Sequence, residues 1–231
     1  MALLPQPFKA LIIGSSGTIG SAFMELLQSN PMCISAIGLH RHSEIPIDYQ
    51  HPETIEIAAR ALVPEGPFQL IINTIGVLHT SEWMPEKRLE DINLDQLIDL
   101  MQINAIGPAL TIKCFSKLLD TNHSVMATLS AKVGSIEDNR LGGWYSYRAS
   151  KAALNMLIKT AAIEFSRTIP NTALIAIHPG TVNSRLSQPF RGEQIGRPPL
   201  DAAGDMLKVI ESLEKQDSGT FISYSGERLP W

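Results

Sequence analysis

The chain has 231 residues, which suits one α/β domain spanning 1–231 with a core that needs neither disulfides nor metal. Its formal charge of -4, with no basic cluster, excludes a nucleic-acid footprint. No apolar run approaches the ~20 residues that cross a bilayer, and the first nine residues lack the features of a signal peptide. Cys33, Cys114 and the six histidines show no metal-ligand spacing, so the expectation is free thiols, no metal and a cytoplasmic setting.

Short apolar runs alternate with amphipathic stretches. Residues 10–13 read as the first strand and 21–28 as the helix after it. A second strand covers 34–39 and a short third one 45–47. Residues 52–62 read as a helix with Pro52 near its first turn, where the missing N–H is harmless. A fourth strand at 68–73 leads into a long helical pattern over 95–118. Strands at 124–130, 173–178 and 220–224 follow, with helices over 146–167 and 201–215 between them. Strands that are apolar throughout imply burial on both faces. With helices alternating, the pattern predicts a doubly wound, mostly parallel seven-stranded sheet covered by helices on both faces.

The first strand runs into Gly14-Ser15-Ser16-Gly17-Thr18-Ile19-Gly20 and then a helix. Glycine suits a tight turn where a phosphate must approach main-chain N–H groups, and the helix N-terminus adds partial positive charge. Placed between first strand and first helix, this turn points to a dinucleotide. The second strand ends in Leu39-His40-Arg41-His42, with no acid before Glu44. A carboxylate there would take the ribose hydroxyls of NAD, whereas a guanidinium suits the 2′-phosphate of NADP. The expected cofactor is therefore NADP(H) over NAD(H), with Arg41 discriminating; the competing reading is a solvated basic turn. Further along, Tyr147 and Lys151 stand four residues apart, on one helical face. An ammonium beside a phenol stabilises the phenolate and eases proton exchange near neutrality.

At this point the sequence resembles the short-chain dehydrogenase/reductase family, nearly end to end. The glycine turn, Asn73-Thr74-Ile75-Gly76, Asn104, the Tyr147 and Lys151 pair, and Pro179-Gly180-Thr181-Val182-Asn183-Ser184 occur in family order. Runs around 76–79 and 85–87, from Val133 through Asn155, and from Gly226 to Trp231 are similar to the subgroup of C-factor and Sniffer-type carbonyl reductases. The resemblance implies a Rossmann-like NAD(P)-binding domain acting on a small carbonyl or alcohol substrate. It implies Tyr147 as general acid, Lys151 on the nicotinamide ribose, and Asn104 holding a water that links the lysine to solvent. Asn73 and Gly76 would line the adenine-ribose side, and Pro179, Gly180, Val182 and Ser184 would meet the nicotinamide. The helices over 95–118 and 146–167 resemble the faces on which family members form homodimers or homotetramers.

The sequence departs from the family pattern twice. Two residues separate Gly14 from Gly17 where three are usual. The family's substrate-binding serine stands three residues before a glycine, and counting back from Gly134 gives Ala131, with Ser130 one position early. A one-residue shift along a strand reverses the side-chain face. Either a bulge turns Ser130 inward for catalysis, or another group polarises the carbonyl; Ser135 is a weaker substitute. His79 and Trp83 are expected to border the substrate and Trp144 to form an apolar wall, His178 fits a structural role, and residues 185–199 suggest a flap. Two other readings stay open: another reaction on the same cofactor, such as epimerisation, and a cofactor-binding signalling protein without turnover.

Overall fold

A computed structural model of the chain describes Leu4 and residues 7–231. Strands β1 (Phe8–Ile13), β2 (Cys33–Leu39), β3 (Leu70–Asn73), β4 (Ser124–Leu129), β5 (Thr172–His178) and β6 (Phe221–Ser223) form one sheet in the order β2-β1-β3-β4-β5-β6. Every adjacent pair is parallel. The two faces of β1 enter different cores, as strict alternation requires. Ala10 and Ile12 pack with Phe23, Leu27, Met206 and Ile210, whereas Leu11 and Ile13 pack with Ile55, Phe115, Leu154 and Ile158.

Helices α1 (Thr18–Ser29) and α7 (Pro199–Ser212) supply the first of these layers. The second comes from α2 (Glu53–Ala61), α4 (Gly107–Phe115) and α5 (Tyr145–Thr168). The strand order reverses between β1 and β3, and a crevice opens there beyond the carboxyl ends of the strands.

The doubly wound architecture agrees with the sequence pattern, but the sheet has six strands rather than seven. Residues 45–47, expected as a strand, are an irregular segment beside the edge strand β2. Pro46 offers no N–H for a ladder, and the Ile47 N–H instead closes back on the His40 carbonyl at 3.2 Å. The apolar character of Ile47 is explained by full burial.

The helical pattern over 95–118 is also interrupted. It consists of α3 (Leu94–Met101), a π-helical turn at Gln102–Ile106, α4 and a terminal turn at Ser116–Leu118. A π turn inserts an extra residue per turn and rotates the side chains that follow. Asn104 lies in this turn and is fully buried. At the start of α4, a Cβ on Gly107 would stand 2.3 Å from the ring of buried Tyr49, so only glycine fits there without displacement. Among the described residues, no helix is long and apolar enough to cross a membrane.

Candidate active site

The glycine turn is locked by close backbone approach. Gly14 has φ +89°, in the left-handed region, and a Cβ on Gly20 would stand 2.2 Å from the Gly14 carbonyl oxygen. The Thr74 hydroxyl braces the turn from below, reaching the carbonyls of Ile13 (2.9 Å) and Gly14 (3.1 Å). Ser15 ties it sideways to β2: its N–H donates to the Leu39 carbonyl at 3.0 Å and its hydroxyl to the same oxygen at 3.2 Å. Ser15 therefore faces the protein, while Gly14, Ser16 and Gly17 line the crevice.

Three cavities follow one another along the strand ends. The first, about 420 Å³, runs from Arg41 and His40 past Asp48 to Gly14 and Gly76. The second, about 550 Å³, shares Ser16, Gly17, Thr74 and Gly76 with it and continues over Ile19 and Gly20 to Ser184. The third, about 350 Å³, shares Ile19, Ser184 and Leu186 with the second and ends against Tyr147. Arg41 is exposed on the wall of the first cavity. Asn73 lines none of the three: it is buried, its Oδ1 accepts the Ile75 N–H at 3.2 Å, and Thr74 and Ile75 reach the crevice instead. The turn's shape and the length of this trough fit an extended dinucleotide.

Tyr147 and Lys151 lie on the first turns of α5 and are both buried. The Lys151 Nζ stands 5.9 Å from the Tyr147 ring centroid and donates to the Leu129 carbonyl at 3.0 Å. Burial lowers the Lys151 pKa to about 8 and raises that of the Tyr147 phenol above its ordinary value. Gly76 leaves room at this point, since a Cβ there would stand 3.4 Å from both the Lys151 Nζ and the Asn104 Oδ1. Asn104 joins three elements. Its Oδ1 accepts from the Val77 N–H (2.9 Å), and its Nδ2 donates to the Val77 carbonyl (2.8 Å) and the Ser150 Oγ (3.1 Å). Ser150 in turn donates to the Tyr147 carbonyl at 2.9 Å.

Ser130 lines the third cavity, but its hydroxyl proton goes to the Asn155 Oδ1 at 2.6 Å. Its N–H continues the β4–β5 ladder to the Ile177 carbonyl at 2.8 Å, so no bulge rotates it. Ala131 lines the same cavity and offers no donor. Pro179, Gly180, Val182 and Ser184 lie on its far wall. Gly180 adopts φ +75°, and a Cβ there would stand 2.7 Å from the Tyr224 ring. Trp144 is a cavity wall, as its position suggested, packed at 4.9 Å from Phe190 and 6.1 Å from Tyr147 between ring centroids. His79 stays behind this wall, 5.9 Å from Phe190. The expected flap carries a short helix, α6 (Gly192–Ile195), and its neck is tied by the Asn183 and Arg197 main chains at 2.9 Å.

Known proteins share this fold. A family profile described as enoyl-(acyl carrier protein) reductase matches residues 33–206. The 1-hydroxy-2-glutathionyl-2-methyl-3-butene dehydrogenase of Rhodococcus sp. (strain AD45) is 31% identical over 186 residues, which cover 80% of this chain and 78% of that protein. C-signal of Myxococcus xanthus is 30% identical over 167 residues, covering 72% of this chain and 94% of that protein. Among solved structures, NADPH-bound carbonyl reductase from chicken fatty liver has a TM-score of 0.83 at 23% identity, covering 98% of this chain and 100% of that one. Carbonyl reductase Sniffer of D. melanogaster has the same TM-score at 19% identity and the same coverage; both are likenesses of fold. The chain belongs to the short-chain dehydrogenase/reductase family and is an oxidoreductase of that type.

Of the remaining lining residues, Asp48 and Gln50 had no signal in the sequence, whereas Arg185 opens the segment expected as a flap. Asp48 and Gln50 join the first cavity through a loop after β2, and Arg185 joins the second through the loop after β5. Among the described residues, no group of three or more His, Cys, Asp or Glu side chains could hold a metal ion. His178, on the wall of the third cavity, has a buried Nδ1 without a partner. Burial first, then the charges of Lys132 and Lys151, lower its pKa from 6.5 to about 4. A depressed folded pKa contributes stability present above pH 6.5 and lost as pH falls through about 4. The melting temperature of the wild type should therefore fall more between these values than that of His178→Gln; parallel curves would refute this account.

Proposed function

We propose that this enzyme reduces a carbonyl group with NADPH, or oxidises the corresponding alcohol, with Tyr147 as the proton donor. The observation that carries this reading is the placement of Tyr147 and Lys151 where the cofactor trough meets the apolar cavity. NADPH, when bound, supplies the hydride. The residues of the chain bind, orient and handle the proton. The buried phenol holds its proton until a substrate oxygen accepts it, and the Lys151 ammonium beside it stabilises the phenolate left behind. With a pKa of about 8, Lys151 is mostly charged at neutral pH and remains able to exchange a proton. Asn104 holds the Val77 strap and, through Ser150, the turn that carries Tyr147.

The glycine turn and the α1 N-terminus take the pyrophosphate, and Pro179, Gly180, Val182 and Ser184 take the nicotinamide end. Arg41 selects the 2′-phosphate; the chicken carbonyl reductase of like fold binds NADPH, which supports this choice. The walls formed by Leu78, Val133, Trp144, Leu186, Phe190 and Ile195 suit a carbonyl compound with an apolar or aromatic body. Ser130, its proton given to Asn155, orders the wall and leaves Tyr147 as the donor to the substrate oxygen. Exposed Leu94 and Ile98 on α3, with Met156 and Ile163 on α5, suit a homodimer or homotetramer interface. The free Cys33 and Cys114 suit the cytoplasm. A second reading, a cofactor-binding signalling protein without turnover, draws on Ala131 and on the similarity to C-signal. The complete Tyr147, Lys151 and Asn104 arrangement favours chemistry, because a sensor has no use for a proton donor.

Titration with NADPH and NADH by nicotinamide fluorescence, followed by a carbonyl panel, tests this reading. Tyr147→Phe should lower kcat by roughly 10²–10⁴-fold while NADPH binding survives; unchanged turnover would overturn the mechanism. Arg41→Ala should weaken NADPH by roughly tenfold or more and leave NADH unaffected, and equal losses would remove Arg41 from cofactor selection. Ala131→Ser, by adding a second donor to the substrate oxygen, should raise kcat. A gain near tenfold is expected, below the ~10²–10³ of an evolved donor. Activity that stays flat or falls would show that the cavity has no room for that donor.

A further inference from the structure

Glu86 is an acid buried to 2% exposure in the loop between β3 and α3. Its carboxylate accepts the Ser146 N–H at 3.2 Å and 3.3 Å and also the Ser146 hydroxyl. Its main-chain oxygen accepts the Trp144 N–H at 2.5 Å. These two residues flank the start of α5, whose N-cap Trp144 is left-handed (φ 54°) and provides no side-chain cap. A helix leaves its first N–H groups without intrahelical partners, and an acceptor from the N-cap residue ordinarily serves them. Here the acceptor comes from a residue 60 positions upstream. Its negative charge also suits the positive end of the helix dipole.

The next residue after Ser146 is Tyr147. The opposite side of the same turn is held by Arg148, which donates to the carbonyls of Gly143 (2.9 Å), Gly142 (3.1 Å) and Val133 (3.2 Å). We propose that Glu86 is a positioning residue for the reaction. It fixes the first turn of α5, so that the Tyr147 hydroxyl and the Trp144 wall keep their places relative to the cofactor trough. The inference rests on the reading of Tyr147 as the proton donor. A simple fastener of the loop would instead lower stability and cofactor affinity together, with no selective effect on the chemical step.

The test compares full-length wild type, Glu86→Ala, Glu86→Gln and Ser146→Ala. Three measurements are made: amide hydrogen exchange across α5, NADPH affinity by nicotinamide fluorescence, and kcat and KM with the best carbonyl of the panel. In Glu86→Ala, exchange should rise in the first turn of α5 and stay unchanged in its centre, with NADPH affinity preserved. Its kcat should fall about 10–100-fold with KM little changed, as expected when a reacting group is displaced by a fraction of its contact distance. Glu86→Gln keeps an acceptor oxygen and should recover most of that loss, with Ser146→Ala intermediate. Unchanged exchange in Glu86→Ala, retained kcat, a Gln variant as impaired as Ala, or affinity lost in step with kcat would each overturn the proposal. Absence of carbonyl turnover in the wild type would overturn the reading of the site itself, while the exchange measurement separately decides whether Glu86 holds the turn.

Discussion

Lys151 is buried to 4% exposure, and its ammonium reaches one main-chain oxygen, that of Leu129 at 3.0 Å. Keeping a cation in such a place costs free energy unless the surroundings are arranged for it, and the lysine also sets what can stand beside it. Gly134 is a glycine because a Cβ would stand 2.7 Å from the Lys151 Cβ. Gly76 leaves the approach to Nζ open. Burial shifts the lysine's pKa to about 8, and the Tyr147 ring stands 5.9 Å away. An ammonium that has lost most of its water is a strong partner for a nearby phenolate.

The elements around this cation are coupled through short buried polar contacts rather than through the apolar layers alone. The π turn in the helical rod brings Asn104 inward, where it is fully bonded to the Val77 strap and to Ser150. Ser150 then reaches the Tyr147 carbonyl. The strap after β3, the interrupted rod and the start of α5 therefore hold one another. Glu86 and Arg148 add a second pair of fastenings to the same helix start, from the loop before α3 and towards the glycine pair. Preorganisation of this kind suits the proton transfer proposed for Tyr147, because reorganisation during a reaction would raise its barrier.

The end of β4 shows how a single-residue register decides chemistry. Met126 packs in the layer that contains α5, and Ser130, two alternations later, turns to that side and bonds Asn155. Ala131 follows on the cavity wall. Both residues line the third cavity just past the end of β4, and what sets Ser130 apart is the bond of its hydroxyl to Asn155. The site consequently presents a phenol and an apolar wall of Trp144 and Phe190, with the strand-end hydroxyl occupied elsewhere.

The doubly wound sheet, the glycine turn, the Tyr147 and Lys151 pair and the position of Arg41 were legible in the sequence because each is local. Apolar runs, a three-glycine turn and a four-residue helical spacing carry their physics within a few residues of one another. The same local reading overcounted a strand at 45–47, because apolar content there reflects the burial of Ile47 and not pairing. Neighbours that meet from distant parts of the chain were decided by the tertiary structure: Glu86 at Ser146, Ser130 at Asn155, and Asp48 on the trough. No spacing rule links such residues, since a contact across 60 positions depends on how loops return over a finished sheet. Local sequence determined what kind of fold and chemistry this chain supports; the packing of its loops decided which groups hold Tyr147 in place.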